Sequence, residues 1–299
     1  MLTKKLNNLS FFSNKTGLPQ EILAEMFKVE SNFNELILKE KDFYKRKELY
    51  DYVYSKSAEL VEPYSKDYFG ELVKAKSEIL KIFKKEVDGK SIIDIGSGSG
   101  AFLYAIAKSK LDYKSLYGLD VKAPTLPKDK YSDQVKCFQR NVIDFELPQT
   151  FEVAILDNVY EHIALDDKDL FLNSISKSLV KGGKLVLLIP NKLFGPTDWT
   201  ILIDNSHTGK IKAQCLHLDE TTFKDVIKTL EIYGFSNFIS PLPFIAFNKV
   251  RQFFPNFRLP SKFYAALENS LIIRKLKKVK FKGKSIVRME IVIIAEKIR

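Results

Sequence analysis

Ser91-Ile-Ile-Asp-Ile-Gly-Ser-Gly-Ser-Gly-Ala-Phe102 is the stretch from which the fold can be read. Ile92, Ile93 and Ile95 are β-branched and suit a parallel strand covered on both faces. Asp94 lies within that run, and glycines follow at 96, 98 and 100. Residues without a Cβ let the backbone turn sharply and approach a ligand closely. Phe102, Leu103, Ile106 and Ala107 then recur at helical spacing. Strand, glycine turn and helix make the first half of a βαβ unit, whose ligand crevice lies at the carboxyl end of the strand. Alone, the loop is equally compatible with an ordinary strand-to-helix turn.

The glycine spacing separates two cofactor classes. A dinucleotide fingerprint is G-x-G-x-x-G, whereas here the third glycine comes one residue early and an acid stands two residues before the first. In this the chain resembles the class I S-adenosylmethionine-dependent methyltransferases, whose first motif is an acid followed by three alternating glycines. The resemblance implies a doubly wound, seven-stranded, mostly parallel sheet and S-adenosylmethionine as cofactor. It places Asp94, Gly96, Ser97, Gly98 and Gly100 against that cofactor.

Later segments fit the same family in order. Leu116 to Val121 reads as a second strand ending in Asp120, and the resemblance gives this acid the ribose, with Val121 beside it. Val135 to Asn141 reads as a third strand, after which Arg140-Asn141 stands where the family usually has Gly-Asp. An Asn oxygen can still accept from an adenine amine, with Val142 alongside, or Asn141 can simply shape a turn. Phe151 to Ile163 resembles the family's fourth strand and the Glu-His turn after it, which brings Asp157 and Asn158 to the cofactor. A helix over Leu170 to Leu179, a Lys181-Gly182-Gly183 turn and a strand from Lys184 to Pro190-Asn191 complete the series, so the resemblance covers roughly residues 85 to 240.

A chain of 299 residues that is 45% hydrophobic can build a sizeable core. No apolar run approaches the ~20 residues of a membrane span, and Leu6 to Phe12 is too short and polar for a secretory signal. Cys137 and Cys215 show no metal-ligand spacing, no metal is expected, and a reducing, cytoplasmic setting is. Residues 1–88 read as a helical lid, with a helix beginning at Leu18-Pro19 and another through Leu72, Ile79, Leu80 and Phe83. Tyr50, Tyr52 and Tyr54 read as packing within it.

Charge is unevenly spread. Ala246 to Arg299 holds fourteen basic and three acidic residues, 14 − 3 = +11, which equals the net charge of the whole chain and leaves residues 1–245 balanced. In the class I fold the last two strands form a hairpin. Here Phe235 to Ser240 and a long final strand from Ser285 are separated by about 44 residues. We therefore expect residues 89–240 and 285–299 to form the cofactor domain and 241–284 an inserted basic, aromatic cap. Its helices are expected near Phe244 to Phe254 and Tyr264 to Val279. Such a cap suits an anionic membrane surface met peripherally or an anionic glycan or lipid-linked acceptor; a nucleic-acid backbone is the less favoured partner.

For O-methyl transfer a general base helps, and the chain has three histidines, His162, His207 and His217, each on the acceptor side of the expected fold. His207, in Asp204-Asn-Ser-His-Thr, loosely resembles a loop of several sugar methyltransferases, while His217-Leu-Asp-Glu220 is a second match. Glu161 is read as orienting His162 or the loop. The expected activity is methyl transfer, most simply O-methylation of a small-molecule, glycan or lipid-linked acceptor. The alternatives are an RNA methyltransferase using the cap, or a nicotinamide-dependent oxidoreductase, which would need a proton donor such as Tyr-x-x-x-Lys that is absent at Tyr131.

Overall fold

Strand β1, Lys90–Ile95, lies inside an eight-stranded sheet of order β3-β2-β1-β4-β5-β10-β6-β7. The computed structural model describes residues 5–244, 251 and 253–299. β2 (Tyr113–Asp120), β3 (Val135–Gln139), β4 (Phe151–Asp157) and β5 (Leu179–Ile189) run parallel to β1. β10 (Ile291–Lys297) inserts antiparallel between β5 and β6 (Phe235–Ser240). The order reverses between β2 and β4, on either side of β1, so a crevice opens at the carboxyl end of β1.

Strand alternation distributes the core. Ile92, Val153, Ile155, Val186 and Val292 face helices α4 (Ser65–Val87) and α5 (Ala101–Lys108). Ile93, Ala154, Leu156, Leu185 and Ile293 face α6 (Lys168–Ser178) and α7 (Phe223–Ile232). Both faces are apolar, as a doubly covered sheet requires. Helices α1 (Leu9–Thr16), α2 (Gln20–Lys39) and α3 (Phe43–Val61) precede α4. α3 is pinned over the turn after β4 by Arg46, whose guanidinium grips buried Asp167 through Nε at 3.0 and 3.1 Å. Tyr50, also on α3, is buried and receives the Ala164 N–H, while Tyr52 is exposed and stacks on Phe33.

Four expectations need correction. An eighth strand appears because β7, Leu259–Pro260, pairs with the free edge of β6. The Lys181-Gly182-Gly183 turn lies within β5 as an irregularity, with Gly182 at φ 78°. The final strand starts at Ile291 because Lys284–Ser285 (β9) instead folds back on Lys280–Phe281 (β8) through Gly283. The helix expected over Tyr264 to Val279 is two, α8 (Ser261–Glu268) and α9 (Leu271–Leu276). Between them Ser270 accepts from the Ile273 N–H and starts the second helix, as serine favours. The helix expected near Phe244 to Phe254 falls largely outside the described residues.

Candidate functional site

The chain leaves β1 through three consecutive alternate glycines at positive φ, of which Gly96 shows the requirement most plainly. Its φ is 75°, and a Cβ there would come within 2.4 Å of Val159 Cγ2. The N–H of Gly98 points across the turn to the end of β2, where Asp120 Oδ2 accepts it at 2.8 Å. Burial raises the Asp120 pKa, opposed by the N–H groups of Gly98, Lys122 and Val121. Ser97 Oγ is buried beside this turn without a hydrogen-bond partner, and the space outside Gly98 is open to 4 Å. An unsatisfied hydroxyl, an open backbone turn and a carboxylate on the next strand together fit a ribose-bearing cofactor.

At the tip of β4, Asp157 Oδ2 lies 2.5 Å from Lys76 Nζ of α4, and Asn158 sits at φ 57° donating its amide to Asp157 Oδ1. Beneath them Asp94 is buried, which pushes its pKa up to about 8; the charge of Asp157 adds to this and Lys76 opposes it. Beyond Asp157 and Asn158 opens a cavity of about 470 Å³ at the ends of β4 and β5 and the start of β10. Lys76, Asn191, Thr197, His217 and Arg288 line it with them. Val159, the residue after Asn158, packs against the turn at Gly96. Arg288 is partly desolvated, which lowers its pKa, and its Nε is buried without a partner.

The three histidines separate. His162 and His217 meet with ring centroids 4.9 Å apart. His162 Nδ1 lies 3.0 Å from the Leu216 carbonyl, and burial first, then the charge of His217, lowers its pKa to about 3. His217 Nδ1 lies 2.9 Å from Glu220 Oε1. Burial disfavours its charged form, but the Glu220 hydrogen bond and the charges of Glu161 and Asp198 outweigh that and hold its pKa at about 9. His207 belongs elsewhere, in a buried loop at φ 53° with Nδ1 unpartnered, and does not line the cavity. Burial, together with Arg288, Lys284 and Lys15, lowers its pKa to about 4.

Asn141 is engaged by the fold. Its oxygen accepts from the Ile143 N–H at 2.9 Å and its amide donates to Asp51 of α3 at 2.8 Å. Lys76 and Arg288 were not singled out from the sequence, since a lysine on a helix and an arginine in a basic tail carry no local signal. Glu268 of α8 was also missed. It is buried, accepts from Asn191 Nδ2 at 2.7 Å and from the Phe223 and Lys224 N–H groups at 3.2 Å, and so ties the cap to the cavity wall and to the start of α7.

A doubly wound sheet with a glycine turn at its switch point and a carboxylate on the neighbouring strand defines a protein that binds a nucleoside cofactor. Residues 64–236 match the model of a methyltransferase domain family, more than half of the chain. The chain belongs to the S-adenosylmethionine-dependent methyltransferases, and S-adenosylmethionine is its cofactor. It is 24% identical over 98 residues to an uncharacterized methyltransferase of Bacillus mycoides, a match spanning 32% of this chain and 45% of that relative. Thus the similarity covers less than half of the relative's length. Among solved structures, it is similar to an S-adenosylmethionine-dependent methyltransferase from Archaeoglobus fulgidus, at 17% identity over 75% of this chain and 94% of that one, with a TM-score of 0.47. It is also similar to 1,6-didemethyltoxoflavin-N1-methyltransferase from Burkholderia thailandensis, at 13% identity over 83% and 88% of the two chains, with a TM-score of 0.46.

Proposed function

We propose that this methyltransferase modifies a hydroxyl oxygen of an anionic, lipid-linked or glycan acceptor bound in the cavity beyond Asp157. The observation that carries this reading is the wall holding Arg288. A guanidinium with a buried, unpartnered Nε is matched by a phosphate or carboxylate, which it can bind through two parallel hydrogen bonds. When bound, S-adenosylmethionine supplies a sulfonium methyl carbon that is electrophilic as it stands. The task left to the chain is alignment and exclusion of water. Gly96 to Gly100 and Asp120 hold the nucleoside end, and Asp94, Asp157 and Asn158 form the passage between turn and cavity. Thr197 and Asn191 offer hydrogen bonds to orient the acceptor.

The surface next to the cavity supports the lipid-linked version. α9 rests on the cavity wall, where Lys277 Nζ donates to the Leu193 carbonyl at 2.9 Å and lies 5.6 Å from the Phe194 ring. On the outer side Leu271 (73%), Ile272 (66%) and Phe281 (69%) are exposed among Lys275, Lys278, Lys280 and Lys282. Apolar side chains fringed by lysines suit the interface of an anionic membrane. The test is incubation of the protein with radiolabelled methyl donor and separate lipid, glycan and RNA fractions. Label in the lipid or glycan fraction, lost in Arg288→Ala through a raised KM, is the expected result. Label confined to RNA would overturn the reading.

A further inference from the structure

We infer that Glu161, His162 and His217 form a binding site for one divalent transition-metal ion at the inner wall of the acceptor cavity. Their ligand atoms all lie within 4.8 Å of one another, the single such cluster among the described residues. His217 Nε2 is 4.0 Å from Glu161 Oε1.

Hydrogen bonding fixes what these atoms can do. The Leu216 carbonyl accepts from His162 Nδ1 and the Glu220 carboxylate lies 2.9 Å from His217 Nδ1, so Nε2 is the nitrogen each ring has left to bind an ion, with His217 giving up its Nε2 proton when the ion enters. Glu161 is 1% exposed, and neither of its oxygens meets a donor from another residue. Two imidazoles and a buried carboxylate whose oxygens have no hydrogen-bond partner therefore converge in one place, where an ion would take over from the His217 proton. Histidines oriented by a carboxylate and a carbonyl are the usual outer support of a metal site.

The two loops carrying the ligands are locked together. Lys168 Nζ donates to the Tyr160 carbonyl at 2.7 Å and pairs with Asp219 at 3.1 Å, and the Asp219 N–H donates to the Glu161 carbonyl at 3.0 Å. Ligand–metal distances of about 2.0–2.2 Å bring tetrahedral donors to roughly 3.4 Å apart. The cluster would thus contract by about an ångström, within reach of small ring rotations. Two imidazoles and one carboxylate suit Zn²⁺, Fe²⁺ or Mn²⁺ rather than Ca²⁺.

Three protein ligands leave a coordination position for another oxygen. His217 is shared between the cluster and the cavity, so an acceptor hydroxyl could take that place, where the charge of a bound ion would lower the hydroxyl pKa. This role, but not the binding itself, rests on the acceptor reading above.

The test uses the full chain, stripped with a chelator and titrated with Zn²⁺ by calorimetry, with Co²⁺ as a spectroscopic probe. One equivalent should bind and raise the melting temperature. Glu161→Gln and His217→Asn should abolish binding while leaving the circular dichroism spectrum intact, and Glu220→Gln, which only orients His217, should weaken it roughly 10–100-fold. Cys137→Ser should leave it unchanged. Absence of stoichiometric binding, or binding indifferent to Glu161→Gln and His217→Asn, overturns the site and identifies the cluster as an imidazolium held between carboxylates. S-adenosylmethionine binding, measured separately on the same samples, reports whether the methyltransferase reading stands regardless.

Discussion

Asp120 does two things at once: it accepts the Gly98 N–H and presents its remaining lone pairs at the tip of β2. Hydrogen bonds to a charged group contribute about 1.5–3 kcal/mol each, so Asp120→Ala should weaken S-adenosylmethionine binding roughly tenfold to a hundredfold by calorimetry. An unchanged Kd would remove Asp120 from the site. Asp94 tests the electrostatics of the same crevice. Its pKa, about 8 in the folded protein against an ordinary 3.8, means the folded state holds a proton that the unfolded chain has released. Stability is therefore unaffected by this group below about pH 4 and falls as pH rises towards 8. Asp94→Asn removes that loss, so its melting temperature should exceed that of the wild type more at pH 8 than at pH 5. Equal differences at both pH values would show that Asp94 ionises normally.

At the scale of elements, α3 acts as a cover because its contacts reach both ends of the crevice. Asp51 holds Asn141 after β3, and Arg46 holds Asp167 beyond β4. Arg46 and Asp167 are both buried, so deleting one partner leaves an unpaired charge in the interior, at a cost of about 3–5 kcal/mol. Arg46→Ala should lower stability by that order in urea denaturation and speed hydrogen exchange in α3. A loss under 1 kcal/mol would mean that α3 is held by its apolar face alone, through Tyr50 and Val53. On the opposite side, α8 holds the cavity-lining Asn191 through Glu268.

Considered as a whole, the molecule concentrates its excess charge in one segment of the chain. The excess of basic residues lies in the final segment, which includes α9, the β8–β9 hairpin and the cavity-lining Arg288. No helix among the described residues is long and apolar enough to cross a membrane. The protein should sediment with vesicles containing phosphatidylserine and remain free with neutral ones, and added salt should weaken the association. Leu271→Glu with Ile272→Glu, two exposed positions, should reduce sedimentation severalfold without changing the melting temperature. Binding that survives both substitutions would place the contact elsewhere.

The run of strands and the glycine turn were legible in the sequence because both depend on local constraints, β-branched runs bounded by glycines and positive φ at fixed positions, whereas the doubly wound arrangement was implied by the family resemblance. Asp120 was visible as an acid at a strand end, and the fold places it where it accepts the Gly98 N–H. His162 and His217 were visible as residues but not as a pair, because 55 positions separate them and only the packing of two loops through Lys168 brings their rings together. Arg288 and Lys76 gave no sign, since a charge on an amphipathic helix or in a basic tail becomes a cavity wall only when distant elements enclose it. The break at Ser270 and the short final strand were set likewise by capping and hairpin contacts that compete with periodicity. The local pattern of the chain determined what it folds into and what nucleoside it holds. Tertiary structure alone decided which groups line the cavity, because burial and convergence are properties of the packed whole.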